Sequence, residues 1–509
     1  MSATAWCIAL QGLEGTRVEV EAATSMNLPK TVFVGLPDTA LNEAKERVKH
    51  GVKSSGLKWP DGVVTINLSP GSVPKYGTHY DLAIAVAAMS VEATNDVRPE
   101  QLPRTVMFGE LGLDGRIRPV SGIVPLLLAA SNHGFTSAIV PAAQLAEAEL
   151  VPGLTTWGAD HLLEVLRILA GHPTTHRAEA AIAEETSPAL LRDLADVQGN
   201  EDGKFALEVA AAGRHHLFLH GPPGVGKTML ASRLTSILPD LEPDEAIEVS
   251  ALHSLAGRSL TGGLITRPPY QDPHHTASRQ SIVGGGGREI RPGAISLAHR
   301  GVLFLDEGPE FGQKTLESLR VPLESGSVSI GRAMSQVTFP ARFQLVLAAN
   351  PCPCGYSGVV GKECTCPPFR VRQYQDRLSG PILDRVDIMH SMPALSRFLA
   401  VDEVPRESSA TVLGRVVEAR DRQRRRLRGS PWSTNSEVPG AFLRKALPVP
   451  TDLTPVNRAL ARGTLSARGV DKVLRVAWTL ADLAGKDTVG TVELRAAMQL
   501  RLGETAKAA

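Results

Sequence analysis

Aromatic residues are scarce in this chain, at 4%, so a stacking platform for single-stranded nucleic acid is not evident. Charge of one sign is also missing. Fifty-four Lys and Arg stand against 53 Asp and Glu, a net charge of +1, and any polyanion site must therefore be a local patch. No apolar run reaches the roughly eighteen residues of a membrane span, which argues against a membrane partner. The first ten residues put no basic segment before their short apolar stretch, so no secretory leader is expected. Cysteine is rare, five in 509 residues, and four of the five lie between Cys352 and Cys366. Such clustering is not a distributed disulfide framework, and a reduced, cytoplasmic protein is expected. No internal repeat stands out.

What is present is ordinary globular composition, 43% apolar and 21% charged, in a chain long enough for about two to four domains. Residues 1–171 read as an α/β domain. Strand-like runs TAWCIALQG, RVEVEAA, TVFVG and GVVTINLSP accompany a helix entered at Asp38 and a buried helix YDLAIAVAAM. TVMFGELGLDG reads as a strand entering a turn, and SGIVPLLLAASNHG as a helix stopped at Gly134. Residues 172–199 turn polar and Ala- and Glu-rich, a linker with an entry helix. Residues 200–395 alternate strands and helices as a parallel sheet requires. Residues 396–509 lose strand signals and read as a small helical bundle.

The middle segment carries the chemistry. The apolar run Leu217-Phe218-Leu219 leads into Gly221-Pro222-Pro223-Gly224-Val225-Gly226-Lys227-Thr228, and a helical pattern follows. Strand, glycine loop, helix is the setting of a phosphate-binding loop: backbone N–H groups curl round phosphates and the helix N-terminus adds a positive dipole end. Lys227 is expected to reach the β- and γ-phosphates of ATP, and Thr228 to hold Mg²⁺. A second apolar run, GVLFL, ends in Asp306-Glu307. The Asp can hold Mg²⁺ through water and the Glu can polarise an attacking water. A third, FQLVLAA, ends in Asn350, whose amide can orient water or γ-phosphate, or else merely opens an Asn-Pro turn.

Cys352, Cys354, Cys364 and Cys366 form two C-x-C pairs. They either hold one structural tetrahedral Zn²⁺ or form a loop of free thiols. The run Arg420 to Arg428, RDRQRRRLR, is the densest positive patch. On a helix its side chains spread round the cylinder, and a DNA contact, a solvated face and a subunit contact all fit.

Taken together, GPPGVGKT, PHHTAS, ISLAHRGVLFLDEGPEF, AANPCPCGY, LSGPILDRVDI and LSARGVDKVLRVAWTLADL resemble the ComM/YifB group of magnesium-chelatase-like AAA+ ATPases. The segments VGLPDTALNEAKERVKHGVKSSG and YGTHYDLAIAVA resemble that group's Lon-protease-like N-terminal domain. The resemblance spans almost the whole chain. It implies an α/β fold in three parts: a Lon-protease-like domain, an AAA+ P-loop core and a helical lid. It also implies a hexameric ring in which Arg385 of one subunit completes a neighbour's active site, with Arg468 as the lid arginine. A salt bridge to Asp384 or Asp387 is the alternative for Arg385. Hairpin insertions are implied over residues 258–300, with His274, His275, Arg279, Arg288 and Arg291, and over 324–343, with Arg332. In related helicases such hairpins line a pore and touch DNA.

Two departures stand out. Where Lon proteases carry a nucleophilic Ser, this chain has Gly77-Thr78-His79-Tyr80-Asp81, so peptidase chemistry is not expected. Gly308 follows the DE pair where relatives often have a longer side chain. The resemblance implies a DNA helicase driving branch migration. A chelatase-type ATPase subunit powering metal insertion through a partner is the alternative.

Overall fold

The computed structural model describes residues 2–26, 28–35, 39–91, 102–172, 176, 192–260, 262–286, 290–331, 336–359, 361–378, 380–393, 406–448, 450 and 452–503. The N-terminal part opens with strands β1 (Ser2–Gln11), β2 (Glu14–Ser25) and β3 (Lys30–Val34), then helix α1 (Thr39–Ser54) and strand β4 (Val63–Ser69). Helix α2 (Asp81–Met89), β5 (Thr105–Met107), α3 (Ile123–Asn132), β6 (Ser137–Pro141), β7 (Thr155–Ala159) and α4 (Leu162–Leu169) complete it. Its seven-stranded sheet runs β3-β4-β2-β1-β5-β6-β7. β2 is antiparallel to β1 and β4, and the remaining pairs are parallel. Every residue of α2 is buried, as its unbroken apolar run required. Gly134, at φ +81°, takes the left-handed turn after α3. Asp38, expected to cap α1, lies outside the described residues.

Among the described residues of 172–199 there is only a single turn, Leu194–Asp196. The entry helix α5 is Glu201–Gly213. Asn200, at φ +60°, turns the chain just ahead of it, so the helix belongs to the core that follows.

That core contains β8 (Leu217–His220), α6 (Lys227–Ser232), α7 (Pro243–Leu255), β9 (Tyr270–Gln271), β10 (Val302–Leu305), the hairpin β11 (Ser327–Gly331) and β12 (Gln336–Pro340), β13 (Gln344–Ala349) and β14 (Ile388–Ser391). Five strands form an all-parallel sheet in the order β9-β10-β13-β8-β14. Its inner strands are apolar except for His220 at the end of β8 and Gln344 at the start of β13, because both faces are covered. Leu217, Leu219, Val302, Phe304, Val346 and Ala348 point into one core. Phe218, Leu303, Leu305, Leu345 and Leu347 point into the other. The first core is shared with α5 and with the C-terminal helices α8 (Ser409–Arg426), α9 (Thr454–Ala461), α10 (Ala467–Leu483) and α11 (Thr491–Leu502). The second is closed by α7 and by the hairpin residues Val328, Val337 and Phe339. The hairpin expected over 324–343 is present; Arg332 lies outside the described residues.

The N-terminal part docks on α7. Gly122 N–H donates to the Ser254 carbonyl at 3.1 Å, and Leu260 N–H to Glu147 Oε1 at 3.2 Å. Ala251 and Leu260 join the N-terminal core. A Cβ on Gly12, in the β1–β2 turn, would sit 2.9 Å from the Thr338 carbonyl oxygen, so that turn lies directly against the hairpin.

Candidate active site

Three of the parallel strands, β10, β13 and β8, lie side by side and end together. Leu305 pairs with Leu347, and His220 with Ala349. The residue after each strand therefore reaches one crevice at the carboxyl edge of the sheet, where open α/β sheets bind ligands. Sequence separation is removed by register alone.

After β8 the loop is shaped by glycine. Gly224 and Gly226 have φ of +80° and +89°, and no atom lies within 4 Å of where a Cβ would stand on either. Backbone conformation, not crowding, therefore requires glycine there. Gly221 is different: a Cβ would meet the Met392 carbonyl oxygen at 2.5 Å. Lys227 opens α6 and is buried. Its ammonium donates to the carbonyls of Gly221 and Pro222 at 2.7 and 2.9 Å and to Asn350 Oδ1 at 2.8 Å. Burial pulls its pKa below the ordinary lysine range, and Asp306 and Glu307 partly offset this. Thr228 Oγ1 donates to Asp306 Oδ2 at 2.6 Å. Glu307 N–H donates to Asp306 Oδ1 at 2.9 Å. Lys227, Thr228, Asp306, Glu307 and Asn350 thus form one cluster. Gly308 also has a reason: a Cβ there would meet Leu347 Cδ1 at 2.6 Å, so the turn after Glu307 packs on β13.

The residues fit ATP and Mg²⁺. The concave side of the loop at Gly224 and Gly226 is open, its amides precede a helix N-terminus, and the Thr228 hydroxyl and Asp306 carboxylate are the hard oxygen donors that Mg²⁺ takes.

Arg385 and Arg468 lie elsewhere. Arg385 donates to Glu324 Oε1 and to the Pro381 carbonyl, each at 2.6 Å, so its ion pair is with neither Asp384 nor Asp387. Arg468 approaches the same Glu324 oxygen at 3.9 Å and keeps 71% of its side chain exposed. Both line a cavity of about 510 Å³ together with Lys472 and Arg475, and no residue of the phosphate loop lines it. Sequence reasoning missed Lys472, which donates to the Arg385 carbonyl at 2.8 Å and to Asp387 Oδ1 at 2.6 Å. It also missed the role of His275, whose Nδ1 is 3.2 Å from Glu307 Oε2.

The four-cysteine loop begins two residues beyond Asn350. Its sulfurs converge: Cys352 lies 3.3 Å from Cys354 and 3.7 Å from Cys364, and all four sulfurs, Cys366 included, lie within 4.8 Å of one another. Tetrahedral thiolates about 2.3 Å from zinc stand roughly 3.8 Å apart, so the donor set fits Zn²⁺. The Tyr356 backbone amide lowers the Cys354 thiol to about 6, whereas Cys364 is pushed up to about 11 and Cys366 also upward, backbone amides that favour their thiolates being outweighed by burial and the neighbouring sulfurs. A Cβ on Gly355 would strike the Pro223 ring, so this loop rests on the phosphate loop.

Three of the six arginines of the basic run are engaged within the chain. Half-buried Arg420 donates to the Ala211 carbonyl at 2.7 Å, Arg424 to Glu242 at 2.7 Å, and Arg426 to Asp482 at 2.5 and 2.7 Å while lying over the Trp478 ring. In the Gly77–Asp81 segment, Thr78 donates to Glu110 at 2.6 Å and Asp81 is bound by Arg47 at 2.6 Å. Arg288 lies outside the described residues, and no described helix is long and apolar enough to cross a membrane.

A parallel sheet with these three strand-end motifs and a lid sharing its core is that of a P-loop ATPase of the AAA+ type. Comparison with known proteins agrees. The magnesium chelatase subunit ChlI family matches residues 193–398, a further ChlI family of the same chelatase matches 20–144, and the ChlI C-terminal family matches 406–501. The chain is 47% identical to an uncharacterised protein of Mycobacterium tuberculosis H37Rv over 98% of both chains. It is 40% identical to the uncharacterised protein YifB of Escherichia coli K12, over 96% of this chain and 95% of YifB. Identity to the competence protein ComM of Haemophilus influenzae Rd is 37%, over 97% of this chain and 96% of ComM. The chain belongs to the ComM/YifB family of magnesium-chelatase-like AAA+ ATPases.

Proposed function

We propose that this ATPase is a DNA motor, a hexameric helicase that drives branch migration of recombination intermediates. The observation that carries the ATPase half is the single cluster of Lys227, Thr228, Asp306, Glu307 and Asn350. In this reading the amides of Gly221 to Thr228 cradle the phosphates, Lys227 shifts from its carbonyl partners to the β- and γ-phosphates, and Asn350 orients the γ-phosphate. Thr228 and Asp306 hold Mg²⁺, which when bound neutralises charge on the phosphate oxygens. Glu307 accepts the proton of the attacking water, and the products are ADP and phosphate. Arg385 and Arg468 share one face away from that pocket. Both are then supplied to a neighbour's γ-phosphate across a subunit interface.

The DNA half rests on kinship with a competence protein and on the two insertions, which carry exposed Arg279 and the hairpin β11–β12. The intramolecular ties of Arg420, Arg424 and Arg426 turn the DNA contact away from that helix. The four cysteines hold one structural Zn²⁺, leaving no open coordination position. We assign residues 1–171 as a domain without peptidase chemistry, since Asp81 and Thr78 are tied into its framework. Residues 172–199 are its linker, 200–395 the ATPase core and 396–509 the lid. The second reading, a chelatase-type subunit, is favoured by the chelatase family matches.

ATP hydrolysis by the full chain, measured alone and with branched, single-stranded or duplex DNA, separates the two. Stimulation is expected with branched or single-stranded DNA, and Lys227→Ala is expected to abolish turnover in a folded protein. No stimulation by any DNA selects the chelatase reading; wild-type turnover by Lys227→Ala sinks both.

A further inference from the structure

In the proposed ring Arg385 serves a neighbour's γ-phosphate, yet its side chain is turned inward. Only 16% of it is exposed, against 71% for Arg468. Nη2 donates to Glu324 Oε1 and Nη1 to the Pro381 carbonyl, each at 2.6 Å. Nε is buried and has no hydrogen-bond partner among the described residues. Two nitrogens of the guanidinium are thus held in a place that leaves the third unmet, and a buried donor left unmet is costly. Arg385 is parked there by Glu324, and the position is one it can leave.

The two backbones are fixed, while the side chain between them is not. Glu324 belongs to the short helix Pro322–Ser325. Its N–H donates to the Val321 carbonyl at 3.0 Å. Gly326, the next residue past that helix, donates to the Pro322 carbonyl at 2.9 Å and accepts from Ala341 N–H at 2.8 Å. On the other side, Arg385 N–H donates to the Ile382 carbonyl at 2.9 Å, and Lys472 holds the Arg385 carbonyl at 2.8 Å. The nearest other carboxylates face other cations: Asp387 accepts from Lys472 at 2.6 Å, and Asp384 lies 3.8 Å from Arg501. Glu324 is therefore the counter-ion of Arg385. It is 54% exposed, and a pair so open to water is weak. A γ-phosphate, more highly charged than a carboxylate, competes for the same guanidinium donors.

We infer that Glu324 is a latch on Arg385: it holds the arginine back from the subunit interface until the γ-phosphate of a neighbour's ATP draws it away. The inference rests on the reading of Arg385 as a trans arginine. It makes one anion replace another at a single guanidinium, so an interface without ATP keeps its arginine neutralised inside its own subunit. Arg468, 3.9 Å from the same Glu324 oxygen and mostly exposed, needs no such release.

The test uses full-length Glu324→Gln, Glu324→Ala, Arg385→Ala and the Glu324→Gln/Arg385→Ala double. Each is checked for an unchanged thermal midpoint and for the same assembly as the wild type, and steady-state ATP hydrolysis is measured without DNA. Glu324→Gln and Glu324→Ala are expected to raise kcat/KM by about two- to fivefold, the scale of a half-exposed ion pair. A merely structural role would lower it instead. In the Arg385→Ala background, Glu324→Gln is expected to change nothing. A rise in either single variant that is lost in the double upholds the latch. A kcat/KM unchanged or lower in both single variants, or a rise that persists without Arg385, overturns it. Wild-type turnover by Arg385→Ala, or turnover that does not depend on assembly, overturns the trans reading first, and this inference with it.

Discussion

At the residue scale, the histidines at the head of β8, His215 buried and His216 half-buried, make stability depend on pH. His215 bonds Thr479 Oγ1 at 2.7 Å, and His216 Nδ1 accepts from Leu345 N–H at 3.0 Å. Burial pushes both from the ordinary 6.5 down to about 4, with Asp387 opposing that shift. Asp387 itself is held far below the ordinary carboxylate range: burial would raise it, but Lys472 and the two histidines outweigh burial. The imidazoles are neutral in the fold, while the unfolded chain takes up protons below 6.5. As pH falls from 6.5 toward 4 the unfolded state binds more protons, so stability is lost, by up to roughly 1.4 kcal/mol per pH unit for each histidine. Asp387 does not contribute in that window, because its unfolded carboxyl titrates at its lower end. The thermal midpoint of the ATPase core is expected to drop steeply between pH 6.5 and 4.5. In His216→Gln that slope should be shallower, and an identical slope would remove His216 from the account.

At the scale of elements, the cysteine loop matters more than its length suggests. It starts immediately past β13, whose terminal Asn350 touches Lys227 at 2.8 Å, and its Gly355 rests on Pro223 of the phosphate loop. A metal that closes this loop also braces two walls of the nucleotide pocket. Elemental analysis of protein prepared in metal-free buffer is expected to find one zinc per chain. A Cys354→Ser/Cys364→Ser double variant should fall to near zero, with a lower thermal midpoint and a raised KM for ATP. Near-zero metal in the wild type, together with four titratable thiols, would mean that packing alone holds the loop. Helix α8 teaches the converse. Its arginines look like a polyanion patch, yet Arg420 fastens the lid to α5 and Arg426 ties α8 to α10 within the lid.

At the scale of the whole molecule, the proposed trans role of Arg385 rests on the separation of Arg385 and Arg468 from the phosphate loop. Both gather at Glu324, and Lys472 in α10 donates to the Arg385 carbonyl, which ties Arg385 to the lid helix. Arg385→Ala and Glu307→Gln are each expected to be nearly inactive, since loss of a trans arginine costs about a thousandfold or more. Mixed under subunit exchange, some interfaces regain a whole site: an Arg385→Ala subunit brings its own Glu307, and a Glu307→Gln neighbour brings its Arg385. Partial ATPase should return. Activity that stays at the parental level, with mixed rings shown to form, would place Arg385 in its own subunit's site.

The local physics of the chain made much of this legible. The strands β8, β10 and β13 are apolar but for His220 and Gln344, because both faces of a parallel sheet are buried, and each leads into its motif, so the pocket could be listed before any fold was known. The buried helix α2 and the lid helices were legible for the same reason: periodicity and glycine stops are local signals. Tertiary structure alone decided which charges are spent and which residues meet. Arg426 finds Asp482, Arg424 finds Glu242, Arg468 joins Arg385 at Glu324, and His275 reaches Glu307. These pairs are set by how elements pack, and a side chain's own neighbours in sequence carry no trace of a partner that only packing brings near.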